Sequence, residues 1–246
     1  MSSEQLIIAA CLMAVAATVH ASVGFGSNLL VGPLLALLSP DLVPGPIVLT
    51  GVVVNLVVVW REPRPMGLER EHHPWERLRW PLVGLPVGSV LGAVTVAAVP
   101  EDDLAVLVAV LVLAAVGLVA TGVRLPHTRS SLCATGAASG YLSAAAAIGG
   151  PPIALAFVDE DGPAFRRTVS RFLLVSAGLA VLTLAAVGEL HRSDIGLAVA
   201  LMPGVLVGLA TGGALRSRVD AGRLRPAVLG VVAASAALVL LRSVSG

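Results

Sequence analysis

The sequence predicts an all-α polytopic membrane protein made of two inverted repeats, each a glycine-broken helical hairpin followed by three membrane-spanning helices. Three observations carry that expectation: a hydrophobic composition, a one-sided distribution of arginines, and a set of glycines that recurs in the second half. Of the 246 residues, 57% are hydrophobic and only 13% charged, with a mean hydropathy of +0.93. So few charges cannot cover the surface of a soluble domain of this length. A helix needs about 20 apolar residues to cross a hydrocarbon core of about 30 Å, and runs of that kind recur along the whole chain.

In order, the apolar blocks are 5–38, 42–60, 80–99, 104–122, 131–158, 168–188, 195–213 and 226–242. Each is expected to be helical, because only helices and closed barrels satisfy their backbone groups in lipid, and no period-2 alternation suggests a barrel. The first block is too long and too weakly charged at its start for a cleaved leader, so it is expected to be the first membrane segment. As one helix it would measure about 51 Å, beyond any ordinary tilt. It is interrupted by "SVGFGSN" at 22–28 and by Pro33. The fifth block is interrupted by "IGGPP" at 148–152. Both are expected to be hairpins that enter and return on the same side.

The arginines support the hairpins. Every basic side chain apart from histidine is Arg, with no Lys. If both broken blocks return, the segments 61–79, 123–130, 159–167 and 214–225 share one face and hold thirteen arginines, against Arg192 and Arg242 on the other. If each block crosses once, the split is nine to six. The positive-inside rule favours the thirteen-to-two arrangement. The Arg-rich loops are then cytoplasmic and both termini extracytoplasmic, in a multi-pass protein of the plasma (inner) membrane. Residues 1–122 form the first membrane repeat and 123–246 the second, inverted one. Gly84, Gly88 and Gly92 recur 120 positions later as Gly204, Gly208 and Gly212, Thr50 maps to Ser170, and Gly26 aligns with Gly149. The glycine rows are expected to serve helix packing, since small residues four apart let membrane helices approach closely.

Inverted repeats with interrupted helices are the signature of transporters that bind solute at the interruptions. Ser27 or Asn28 is placed to cap the second half-helix of the first hairpin, and Pro151 suits the first turn after Gly149 and Gly150. Half-helix N-termini carry partial positive charge and free N–H groups, which suits an anion. No Asp or Glu falls in the middle of a membrane segment. His20 is the titratable side chain deepest inside one, and so the candidate for proton coupling. Thr50, Asn55, Ser143 and Ser170 are the remaining polar candidates, and Arg171 stands near the inner mouth. Cys11 and Cys133 lack ligand spacing and read as buried thiols. "DEDG" at 159–162 lacks the alternation of a calcium loop, and "EREHHPWER" at 69–77 reads as a cytoplasmic loop with Trp75 and Trp80 at the interface. No metal, cofactor or catalytic residue is expected.

The broken first segment, "IVLTGVVVN", "ASGYLSAAAAIGGPPIAL" and "FRRTVSRF" together resemble the TauE/SafE family of anion exporters over nearly the whole chain. The resemblance implies a plasma-membrane exporter of sulfite, sulfoacetate or a related small sulfur-containing or organic anion. It places the family's glycine-rich breaks on Gly24, Gly26 and Ser27, and again on Gly149 and Gly150. Its Thr-Ser pair becomes Thr50–Gly51 and Val169–Ser170, half kept in each repeat. The expected substrate-binding set is therefore Gly24, Gly26, Ser27, Asn28, Thr50, Asn55, Gly149, Gly150 and Ser170. The expected partners are a small anionic substrate and the lipid bilayer, with no nucleic acid; a homodimer is left open. The alternatives are the same architecture carrying another solute, even a cation, a non-transporting scaffold, or an intramembrane enzyme, for which His20 has no partner motif.

Overall fold

A computed structural model describes residues 2–23, 27–62, 74–122, 125–160 and 162–215. Among them the secondary structure is helical: α1 (Ser3–Val23), α2 (Ser27–Leu38), a 3-10 turn (Pro40–Leu42), α3 (Gly45–Arg61), α4 (Pro74–Ala98), α5 (Glu101–Ala120), α6 (Arg129–Ala146), α7 (Gly150–Ala156), α8 (Gly162–Val187) and α9 (Arg192–Leu215). Among the described residues six segments, centred on α1, α3, α4, α5, α8 and α9, are long and apolar enough to cross a membrane. The expected eighth block, 226–242, lies outside the described residues.

Both broken blocks fold back. Gln5 Nε2, in the first turn of α1, donates to the Leu38 carbonyl at the end of α2, at 3.3 Å. The second hairpin closes in the same manner: the His127 ring, just before α6, meets the Phe157 ring, just after α7, edge-on at 5.9 Å. The two mouths lie at opposite ends of the bundle. Arg77, near the start of α4, shares a cleft with Arg129, Phe157 and Glu160, whereas Val96, near its end, shares another with Pro40, Gly45, Leu104 and Asp194. Arg61, Arg77, Arg79, Arg129, Arg166 and Arg167 therefore cluster at one end, and Arg192 at the other. This is the asymmetry expected of two returning hairpins.

Two helices begin earlier than expected, α4 at Pro74 and α8 at Gly162. Residues 74–77 belong to α4, not to a loop. Pro74 occupies the first helical position, where its missing N–H costs nothing and its fixed φ favours the helix. Trp75 is consequently a half-exposed helix residue. The rest of "EREHHP" before Pro74 lies outside the described residues.

The glycine rows are contact surfaces. A Cβ on Gly84, Gly88 or Gly92 of α4 would overlap the carbonyls of Cys133, Ala137 and Tyr141 on α6. A Cβ on Gly204, Gly208 or Gly212 of α9 would overlap those of Ala10, Ala14 and Thr18 on α1. Each row meets carbonyls spaced one turn apart, so two backbones lie against each other along three turns. Thr18 and Ser22 reinforce the second contact, donating to the Gly208 and Gly212 carbonyls at 3.2 and 3.3 Å.

At the Arg-rich end, Arg171 of α8 pairs with Glu62, just past α3, at 3.0 Å. The anion that meets Arg171 is thus a carboxylate of the protein itself, with a side chain only 3% exposed. Arg171→Ala takes the guanidinium from a buried carboxylate, and is expected to destabilise the protein by about 2 kcal/mol, discounted from the fully buried case because Arg171 is partly solvated. Thermal melting in detergent checks this, with Glu62→Gln expected to restore much of the loss in the double variant. Identical melting of wild type and Arg171→Ala would show that the pair contributes nothing.

Candidate functional site

The breaks meet. A cavity of about 30 Å³ lies between them, lined by His20 near the end of α1, Asn28 and Leu29 at the start of α2, Asn55 of α3, Ser143 of α6, and Ala147 to Pro151 at the second break. Leu173 and Ala177 of α8 complete the wall. The space holds about two waters, judged by the 10–15 Å³ each requires. Among the described residues its polar lining is amide, hydroxyl and imidazole, without Arg or carboxylate.

The second break is built without a glycine at its turn. α6 ends with Ala147 in the left-handed conformation (φ 60°), its N–H bonded to the Ser143 carbonyl and that of Ile148 to the Leu142 carbonyl, both at 3.0 Å. A non-glycine residue there is strained. The turn directs the Ala147 carbonyl out of its helix, and Asn28 Nδ2 donates to it at 2.9 Å. One side chain of the first break thereby satisfies the backbone of the second. Gly51 seats that amide: a Cβ there would come within 3.1 Å of Asn28 Nδ2, and the Gly51 carbonyl accepts from Asn55 Nδ2 at 2.8 Å. Asn55 is in turn in side-chain hydrogen-bonding contact with His20. Asn28, Gly51, Asn55 and His20 thus form a connected polar layer in an apolar surround.

Of the sequence-predicted residues, His20, Asn28, Asn55, Gly149 and Gly150 come together at the cavity, with Ser143. Thr50 and Ser170 are fully buried but do not line it. Thr50 donates to the Ile47 carbonyl of its own helix at 2.9 Å. Ser27 opens α2, and its backbone alone is described. Gly24 and Gly26 lie outside the described residues. Gly149 is needed for close approach: a Cβ there would sit 2.8 Å from the Ser139 carbonyl oxygen and 3.2 Å from Ser176 Oγ. Ser139 and Ser176 are the site neighbours that sequence reasoning missed, and a lone serine in an apolar helix gives no signal that would have found them.

Among the described residues, six helices fit to span a membrane and a polar pocket buried between the two hairpins define a multi-pass membrane protein of the transporter type. The model of the Sulfite exporter TauE/SafE family matches residues 8–239, and the chain belongs to that family. No curated protein and no solved structure gives a significant match.

Proposed function

We propose that this chain is a secondary transporter that exports a small sulfur-containing or organic anion, such as sulfite or sulfoacetate, across the plasma membrane by alternating access. The observation that carries this reading is the polar cavity at the junction of two hairpins that open to opposite ends of the bundle. Membership of a family of sulfite exporters supports the solute class. Two inverted repeats are supported by the paired packing: glycine rows 120 positions apart meet carbonyl rows 123 positions apart. Its work is transport and not catalysis.

The anion is bound by amides and neutral side chains. The N-terminal end of α2, a helix of twelve residues, contributes its partial positive charge beside Asn28. α7 has only seven residues, so Asn28, Asn55, His20 and Ser143 carry more of the recognition than its dipole does. In its closed form the cavity is smaller than the anion, which is admitted when the two halves part. With Arg-rich loops cytoplasmic and both termini outside, an inside-negative potential drives an anion outward by about 2.3 kcal/mol per charge per 100 mV.

Counterflow in proteoliposomes tests the reading. Internal sulfite or a sulfonate is expected to accelerate uptake of labelled sulfite, while sodium, divalent cations and neutral solutes do not. Counterflow by cations alone would overturn it. Under an imposed pH gradient, His20→Ala is expected to lose the proton dependence and to keep a weakened counterflow; unchanged proton dependence would remove His20 from coupling.

A further inference from the structure

The helices sort into two bundles, and neither bundle is a half of the sequence. Among the described residues α1, α2, α3 and α9 pack chiefly on one another, and so do α4, α6, α7 and α8. α9 comes from the second half of the chain and α4 from the first, so each bundle takes one long helix from the other half. That helix is held through its glycine row. α9 lies on α1 at Gly204, Gly208 and Gly212, and α4 lies on α6 at Gly84, Gly88 and Gly92. Gly136 and Gly140 of α6 lie as closely on Pro81 and Leu85 of α4. Backbones packed at this distance along three turns hold each pair as one unit.

Polar contacts follow the same division. The Thr18–Thr211 hydroxyl pair at 2.8 Å, the bond from Arg61 to the Leu209 carbonyl and the contact of Asn55 with His20 lie within the first bundle. The Arg77–Glu160 ion pair and the His127–Phe157 ring contact lie within the second. Between the bundles, α3 packs on α8, Arg171 of α8 pairs with Glu62 at 3.0 Å, and Asn28 donates to the Ala147 carbonyl at 2.9 Å. α5 packs on α2 of one bundle and on α6 and α7 of the other. The cavity lies on this boundary. His20, Asn28, Leu29 and Asn55 form its wall on the first bundle; Ser143, the turn from Ala147 to Pro151, Leu173 and Ala177 form its wall on the second.

We propose that the moving parts of the transporter are these two swapped bundles, α1–α2–α3–α9 and α4–α6–α7–α8, which part along the contact of α3 with α8 while both glycine seams stay closed. This rests on the transport reading given above and deepens it by naming the bodies that separate. Parting the two sequence halves instead would break both seams, and lipid offers no force to close them again. Parting the bundles opens the space between the two walls of the cavity and leaves each wall intact. Hinge or shear motion of packed bodies about one interface is a common form of such a transition. The Glu62–Arg171 pair, at the Arg-rich end of that interface, is then a latch. It opens when the cavity is exposed to the Arg-rich face and closes when the cavity turns to the other.

Counterflow of labelled sulfite through crosslinked full-length protein tests this, with Cys11 and Cys133 replaced by alanine. Thr18→Cys with Thr211→Cys puts two thiols across the α1–α9 seam, where hydroxyls 2.8 Å apart leave room for a disulfide. Oxidation of this pair is expected to change counterflow by less than about twofold, because the seam does not open during the cycle. Glu62→Cys with Arg171→Cys, joined by a short bis-methanethiosulfonate, ties one bundle to the other. That link is expected to lower counterflow by more than about tenfold, with recovery on reduction. Each variant is compared with itself before and after linking, so the effect of the substitutions themselves drops out. Loss of counterflow on oxidising the first pair would mean that the sequence halves move across the seam, and would overturn the proposal. Full counterflow through the linked second pair would overturn it too. Wild-type protein without sulfite counterflow would overturn the transport reading, and the moving bundles with it; active wild type with either crosslinking result reversed would remove the bundles alone.

Discussion

Gly88→Val is expected to leave almost no folded protein in the membrane, whereas Gly178→Val is expected to accumulate and melt like the wild type. Both glycines sit inside long apolar helices, and sequence gives no reason to separate them. The difference lies in what a side chain would meet. At Gly88 a Cβ overlaps the Ala137 carbonyl, and backbone atoms of a helix cannot step aside singly. At Gly178 nothing lies within 4 Å. Relief at Gly88 requires α4 and α6 to move apart as rigid bodies. That would also undo the contacts of Gly84 and Gly92 with Cys133 and Tyr141, and of Gly136 and Gly140 with Pro81 and Leu85. Helices in lipid have no hydrophobic force to press them together, so association rests on this close van der Waals fit. Loss of the seam places the variant above about 4 kcal/mol, the range reserved for gross disruption. Size-exclusion profiles of tagged protein in mild detergent, followed by melting, check it. A monodisperse Gly88→Val with wild-type melting would mean that α4 and α6 do not pack along this face.

Much of the architecture was legible because its determinants are cheap to read in one dimension. Arginine placement reports which segments share a face, so the return of both hairpins could be inferred before any contact was known. Glycines four apart announce a close seam, but not the partner, and the pairing of α4 with α6 and of α9 with α1 required the third dimension. At the site, His20, Asn28, Asn55 and the Gly149–Gly150 pair were legible, since amides, imidazoles and double glycines are conspicuous in an apolar run. Thr50 lies away from the cavity lining: five residues before Asn55, it points about 140° away around α3 and bonds to its own helix. Ser139 and Ser176 were not legible because a serine bonded to its own backbone and a serine without such a bond look alike in sequence. Nor was the partner of Arg171, since Glu62 is separated from it by 109 positions. The left-handed turn at Ala147 was hidden by a run of four alanines, where a glycine would have marked it.

Asn28→Asp is expected to reduce counterflow more than a hundredfold, and Asn28→Ala about tenfold, in protein that remains folded. The Asn28 amide donates to the Ala147 carbonyl across the junction of the two breaks, packed on Gly51. Alanine removes the donor and leaves a carbonyl in the cavity wall, a loss of about 1–3 kcal/mol where the carbonyl is not rewetted. Because the cavity can hold water, the cost falls on the geometry of the site more than on the fold. Aspartate has the same shape and the opposite effect: its carboxylate presents acceptors to a carbonyl oxygen and negative charge to an incoming anion. Both repulsions act in a cavity with no Arg among its described lining residues to offset them, where the effective dielectric is low. Aspartate should therefore be worse than alanine for anion flux, and the order of the two variants is the informative result. A cation carrier would give the reverse order, because a carboxylate in the cavity would attract its substrate. Counterflow of labelled sulfite through each variant, normalised to folded protein, decides between them. Wild-type rates in Asn28→Asp would move the permeation path away from the contact between Asn28 and Ala147.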